Sequence, residues 1–167
     1  MSSELTTERL IVREFTLGDL DDLSQVFGDP RVLWWEPAPW TCDQTRGFIE
    51  RCLALYADDG FGEHAIVVAE SGKVIGDCGT VFREIEGERL PELGWDLRSD
   101  MWGKGYATEA ARAMVAHMRT KGLPRVYSLI EPHYAPSQAV ARRLGMEVER
   151  EVVWSGLRHD LWWLDLA

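Results

Sequence analysis

The segment from Glu92 to Ala110, ELGWDLRSDMWGKGYATEA, constrains the chain more than any other stretch. An alternating run that reads as a strand enters a turn containing Gly103 and Gly105, and a helix-forming run leaves it. Glycines let backbone N–H groups come close to a ligand. A helix start adds several unpaired N–H donors and a partial positive charge. Together these hold a phosphate without a basic patch. Two familiar phosphate loops do not fit. A P-loop needs Ser or Thr after Gly-Lys, and Gly105 follows Lys104. A dinucleotide fingerprint needs a third small residue inside a βαβ unit, and the sheet before this turn reads as antiparallel. On pattern alone, an ordinary strand-to-helix turn with two glycines also fits.

The rest of the chain reads as alternating elements. Residues 9–15 form a strand rich in β-branched side chains. Thr16 and Asp19 then make a capping-box pattern, with Phe15 and Leu20 as its staple. Leu17, Leu20, Leu23 and Phe27 follow at helical spacing until Gly28 and Pro30. A Pro- and Trp-rich loop, LWWEPAPW, precedes a second helix opened by Thr41 and Gln44. Three strands with short connections follow at 64–69, 74–82 and 90–97, the pattern of an antiparallel meander. The helix after the glycine turn ends at Gly122. A strand at 125–130, a helix from about Pro136 to Leu144, and strands at 146–154 and 160–166 complete the order. The expectation is one α/β domain spanning 1–167, with a mixed, mostly antiparallel central sheet flanked by about four helices.

Composition matters mainly for partners. Eighteen Lys and Arg against 28 Asp and Glu leave a formal charge of −10. That field opposes nucleic acid and anionic membranes and favours cationic amines, so any phosphate site must be built locally. Cys42, Cys52 and Cys78 lack zinc-like spacing, and the four histidines lack metal-like companions, so no metal is expected. The N-terminal MSSELTTERL has no apolar h-region and no run is long enough to span a bilayer, so a cytoplasmic location is expected. Eight Trp exceed what a core of this size requires, and some are expected to line a cleft.

Four segments carry a resemblance to a known family. WGKGYATEA resembles the pyrophosphate-binding motif of the GCN5-related N-acetyltransferase (GNAT) superfamily. LTTERLIVREFTLGDLDDL resembles the first strand and helix of its RimJ/RimL branch of ribosomal-protein-alanine acetyltransferase-like enzymes. KVIGDCG resembles a strand of that branch, and PHYAPSQAVARRLGM its later motif. Two departures stand out: Trp102 opens the loop in place of Gln or Arg, and Tyr134 stands where Asn is usual, three residues before Ser137.

The resemblance implies transfer of an acetyl group from acetyl-CoA to a primary amine, either a protein N-terminus or a small molecule, by direct attack on the thioester. The alternative is an acyl-CoA-binding sensor on the same fold without catalysis. The implied CoA contacts are Trp102, Gly103, Lys104, Gly105, Tyr106, Ala107 and Thr108 in the turn. To these the resemblance adds Trp95, Asp96 and Leu97 on the strand, whose N–H groups polarise the thioester, and Tyr134, Ser137 and Arg143 near the later helix. An attacking amine must first lose a proton, so a base is needed. Glu92 is the candidate, with Asp96 as runner-up. Glu92 also fits a solvated strand carboxylate. Tyr134 and Ser137 are rival acids for the leaving thiolate, and Ser137 also fits a helix-start residue. Trp34, Trp35 and Glu36 are candidates for the acceptor wall, since ring faces and a carboxylate suit a cation. Trp packing under a proline-rich loop fits the same residues. Monomer and homodimer are both compatible with the sequence.

Overall fold

A computed structural model describes residues 4–167. Its α/β fold contains an open eight-stranded sheet with four α-helices. The first strands, β1 (Leu5–Thr6) and β2 (Leu10–Arg13), form a small antiparallel pair. The sequence reading had no β1, because two residues carry no periodicity. Helix α1 (Leu20–Phe27) follows a single 3-10 turn. The Asp19 carboxylate accepts the Thr16 N–H at 2.8 Å, the capping contact that the Thr16/Asp19 spacing anticipates. At the start of α2 (Cys42–Asp58), Thr41 and Gln44 bond reciprocally, at 2.8 and 3.2 Å.

The meander runs through β3 (Gly62–Val68), β4 (Val74–Ile85) and β5 (Glu88–Leu97). Helix α3 (Tyr106–Thr120) leads to β6 (Arg125–Ile130), α4 (Ala135–Leu144), β7 (Glu147–Trp154) and β8 (Leu157–Asp165). The sheet order is β1-β2-β3-β4-β5-β6-β8-β7, and only the β5–β6 pair is parallel among the described residues.

Side chains alternate across the sheet and so sort onto two faces. One face carries Ile66, Ile75, Cys78 and Leu93, buried under Ala110, Ala111, Met114 and Met118 of α3. The opposite face carries Ala65 and Val67, buried under Leu23, Phe27, Ile49 and Cys52 of α1 and α2. Burying that much apolar surface on both sides is the main driving force holding the helices on the sheet. It also leaves one stretch of the second face, beside α2, free to carry polar side chains.

Candidate active site

The glycine turn is shaped by its backbone. Gly103 and Gly105 have φ of +74° and +83°, a region that side-chain-bearing residues seldom occupy. Gly105 caps α3 at its N-terminus. The N–H groups of the first helical turn lack intrahelical partners by geometry and so point outward as donors. The buried Thr108 hydroxyl also has no partner among the described residues. The turn is tethered from outside. The Glu109 carboxylate accepts the Thr7 hydroxyl at 2.6 Å, the Arg9 N–H at 2.8 Å and Arg9 Nε at 2.7 Å. Arg9 donates onward to the Lys104 carbonyl at 2.8 Å and lies over the Tyr106 ring. The Glu109 carboxyl is held below its ordinary value: burial alone would raise it, but the hydrogen bonds from Thr7 and Arg9 outweigh that.

Next to the turn, the sheet opens. The parallel ladder between β5 and β6 has a single register, Glu92 to Tyr127, and does not continue past it. The Ser128 hydroxyl then donates to the Leu93 carbonyl at 2.7 Å, which shows that Leu93 turns its backbone groups toward β6. Alternation directs the backbone groups of Trp95 and Leu97 to the same edge. The Leu97 carbonyl accepts the Trp102 indole N–H at 2.9 Å. The Trp95 N–H therefore faces a V-shaped gap between two strands, a place where a carbonyl oxygen can be received.

On the α2 side of the sheet four carboxyl groups converge. Asp77 pairs across strands with Asp96, Val81 with Glu92, and Gly79 with both Glu63 and Gly94. Glu63, Asp77, Glu92 and Asp96 thus share one face of three adjacent strands. Arg83 Nε donates to Glu92 at 2.9 Å and its guanidinium lies 3.8 Å from Glu63. Burial, then the charges of Glu92 and Glu63, pushes the Asp96 carboxyl well above the ordinary range. Burial and the same neighbours, with Asp96 foremost among them, do likewise for Asp77.

A cleft of about 2650 Å³ joins the turn, the gap and the carboxyl cluster. That exceeds what one drug-sized ligand needs and leaves room for two substrates end to end. Trp34 and Trp35, both about half exposed, stand at its rim. Trp34 packs on Tyr134 with ring centroids 5.3 Å apart, so the 28–40 loop and the start of α4 meet across the opening. Trp40 instead packs edge-on against Phe27 and Phe48 and belongs to the core. Burial, then Asp96, raises the Tyr134 phenol, which keeps its proton available for donation.

Of the residues singled out from sequence, Glu92, Trp95, Asp96, Leu97, Trp102, Gly103, Gly105, Tyr106, Ala107 and Thr108 line this cleft. Trp34, Trp35, Glu36, Tyr134, Ser137 and Arg143 do so as well. Lys104 does not; its carbonyl is turned to Arg9. No side-chain cap bond closes the start of α4, so Ser137 does not fill the capping role its position suggests. Sequence reasoning missed Glu63, Asp77, Arg83, Arg9 and Arg112, all cleft residues. The available signal was alternation: Asp77 shares its strand face with Gly79 and Arg83, inside an apolar run where a charge is costly. No group of residues suited to a metal occurs among the described residues, and no described helix is long and apolar enough to cross a membrane.

The family model for the acetyltransferase (GNAT) domain matches residues 9–147. An uncharacterized N-acetyltransferase, p20 of Bacillus licheniformis, is 34% identical over 148 residues, covering 87% of this chain and 83% of p20. Among solved structures, a GnaT-family acetyltransferase from Bordetella pertussis superposes with a TM-score of 0.83 at 26% identity. That match covers 96% of this chain and 98% of the other. RimL, a ribosomal alpha-N-protein acetyltransferase solved in complex with coenzyme A, superposes at 0.77 with 18% identity. It covers 96% of each chain, a likeness of fold.

Proposed function

Because the chain belongs to the GNAT acetyltransferase family, we propose that it transfers the acetyl group of acetyl-CoA directly to a primary amine, with Asp96 as the proton acceptor. The supporting observation is the position of the β5–β6 gap, between a helix start suited to pyrophosphate and a cluster of carboxyl groups. CoA lies with its pyrophosphate on the N–H groups of residues 103–108 and its thioester in the gap. Trp102, Tyr134 and Arg143 flank it. The solved RimL complex with coenzyme A supports this choice of donor.

The amine arrives as an ammonium ion and must shed a proton, because a lysine-type amine has a pKa of about 10.4. Glu92 is already engaged: its carboxylate accepts the Arg83 Nε–H at 2.9 Å. Asp96 makes no such pair, and its raised carboxyl is closer in basicity to what a general base requires. The freed nitrogen bonds to the carbonyl carbon while the Trp95 N–H receives the developing oxyanion. The C–S bond then breaks, its electron pair leaves on sulfur and takes a proton from Tyr134 or Ser137, and the acetylated nitrogen gives up its second proton to restore that acid, while Asp96 passes its own proton to solvent. Glu92 holds the incoming cation by charge.

The test is thiol release from acetyl-CoA with a panel of amines. Asp96→Asn should lower turnover roughly 10²–10⁴-fold with acetyl-CoA affinity preserved, and Glu92→Gln should act mainly on the acceptor KM. Near-normal turnover in Asp96→Asn, with the loss appearing in Glu92→Gln, would return the role of base to Glu92.

A further inference from the structure

The cluster holds more carboxyl groups than one amine requires. Glu63, Asp77, Glu92 and Asp96 line one cleft, and among the described residues the cation at this cluster is Arg83, paired with Glu92 and Glu63. Four carboxyl groups therefore share one guanidinium. Two of those groups are deeply set: Asp77 is 3% exposed and Glu92 is 8% exposed. Asp77 Oδ1 is buried on the cleft wall with no hydrogen-bond partner among the described residues. Leaving such an oxygen unpaired carries a substantial cost, so a native site that keeps it calls for a partner from outside the chain.

The floor of this chamber is also open. Gly79 and Gly94 face each other across β4 and β5, between the Asp77/Asp96 pair and Glu92. Neither presents a side chain, and the Glu92 carboxylate leans over Gly94, 3.7 Å from where a Cβ would stand. A side chain at Gly79 is excluded from the other direction, because its Cβ would collide with the Gly62 carbonyl. The result is a slot floored by backbone and walled by acids, running from Asp96 at the gap toward Glu63 on β3. It crosses two strand spacings, roughly 9–10 Å.

We infer that the acceptor is a dication, a short-chain diamine or an amine bearing a second ammonium or guanidinium group. The reacting nitrogen sits by Asp96 and Glu92, and the second cation beside Asp77 and Glu63. This rests on the transferase reading above and specifies its substrate class. The chemistry is unchanged: the reacting ammonium gives its proton to Asp96, and the distal cation keeps its own throughout. Burial raises the Glu63, Asp77 and Asp96 carboxyls, which limits the charge they carry together. A dication removes that limit and lets them ionise. A monoamine satisfies one end only, and an amino acid places a carboxylate among carboxylates.

Steady-state kinetics with acetyl-CoA and the full chain decide it, using 1,4-diaminobutane, 1-aminobutane and 4-aminobutanoate at fixed ionic strength. The expected kcat/KM for the diamine is at least tenfold above that for 1-aminobutane, with 4-aminobutanoate poorest. Asp77→Asn and, separately, Glu63→Gln should each shrink the diamine-to-monoamine ratio toward one; if either variant fails to fold, the other and the wild-type series still carry the test. Equal or lower kcat/KM for the diamine in the wild-type chain overturns the inference and leaves the transferase reading standing. If none of the three amines is acetylated, and peptide N-termini are not either, the transferase reading fails. Calorimetry of the free protein with 1,4-diaminobutane and 1-aminobutane then decides the inference alone. Tighter binding of 1,4-diaminobutane supports it, and equal or absent binding overturns it.

Discussion

Gly103 separates shape from charge in the cofactor turn. Its φ of +74° strains any residue with a side chain, yet a Cβ there meets nothing within 4 Å. Asn tolerates this backbone region better than most residues. Gly103→Asn should therefore keep the fold and most of the affinity for CoA. Gly103→Asp has nearly the same shape but adds a negative charge beside the expected pyrophosphate. Calorimetry should show CoA binding at least tenfold weaker for Asp than for Asn, with similar melting temperatures. Equal affinities would remove the phosphate from this turn. The same reasoning ranks the two β5 carboxyls. Glu92 and Asp96 share a strand face, yet Arg83 reaches only one of them at bonding distance. Their chemistry diverges because of a neighbour nine residues before Glu92 in sequence and directly beside it in space.

The packing of α3 on the sheet contains a titrating group. His64 on β3 is buried, its Nδ1 lies 2.9 Å from the Gly62 carbonyl, and it contacts His117 of α3 edge-on. Burial lowers its pKa to about 4 from 6.5. The folded state thus holds the neutral ring between about pH 4 and 6.5, while the unfolded state binds a proton there. The contribution of His64 to stability accordingly grows as pH rises across that window and is lost as pH falls to about 4. Its size is on the order of 3 kcal/mol at about 1.4 kcal/mol per pKa unit. Asp77 and Asp96 act in the opposite sense. Their raised carboxyls keep their protons to higher pH in the folded state than in the unfolded one, so their contribution is full below the usual Asp range and declines as pH rises. Urea denaturation from pH 4 to 7 should show a flatter rise, or a steeper fall, for His64→Gln than for the wild-type chain. Parallel profiles would mean that His64 titrates alike in both states. At the N-terminal end of the same helix, Glu109 gathers three donors from the β1–β2 region. Glu109→Ala strands those donors and should destabilise by about 1–3 kcal/mol, measured by the same denaturation.

For the molecule as a whole, charge and cleft act together. A formal charge of −10 attracts cationic acceptors at a distance, and salt screens that attraction over about 8–10 Å. In the proposed complex the phosphates of CoA meet a local field from a helix start instead. Raising salt should therefore increase the acceptor KM more for cationic than for neutral amines. Trp35 is 48% exposed at the cleft rim, where the proposed acceptor enters, while Trp40 is held in the α1–α2 core. Trp35→Ala should raise the acceptor KM more than that of acetyl-CoA. A preference for anionic acceptors, or equal effects of salt and Trp35→Ala on both substrates, would place acceptor recognition elsewhere.

What the sequence determined alone is what short-range physics encodes. The glycine turn and the helix after it, the caps at Thr16 and Thr41, the alternation of the meander and the order of the longer elements are all set by neighbours within a few residues. Gly103 and Gly105 were readable for that reason, and so was the strand face that Glu92 shares with Gly94 and Asp96. The tertiary structure decided what faces what. Asp77 looks like an isolated acid in an apolar strand until β3 and β5 pair on either side of β4 and bring Glu63, Glu92 and Asp96 onto its face. Arg83 becomes the partner of Glu92, and Arg9 of Glu109 across 100 residues, only in the folded chain. Whether β5 and β6 stay paired or part is likewise invisible locally. Periodicity assigns a side chain to a face, but only the pairing order of the strands, driven by burying both faces of the sheet, sets which charges share that face and where the sheet opens.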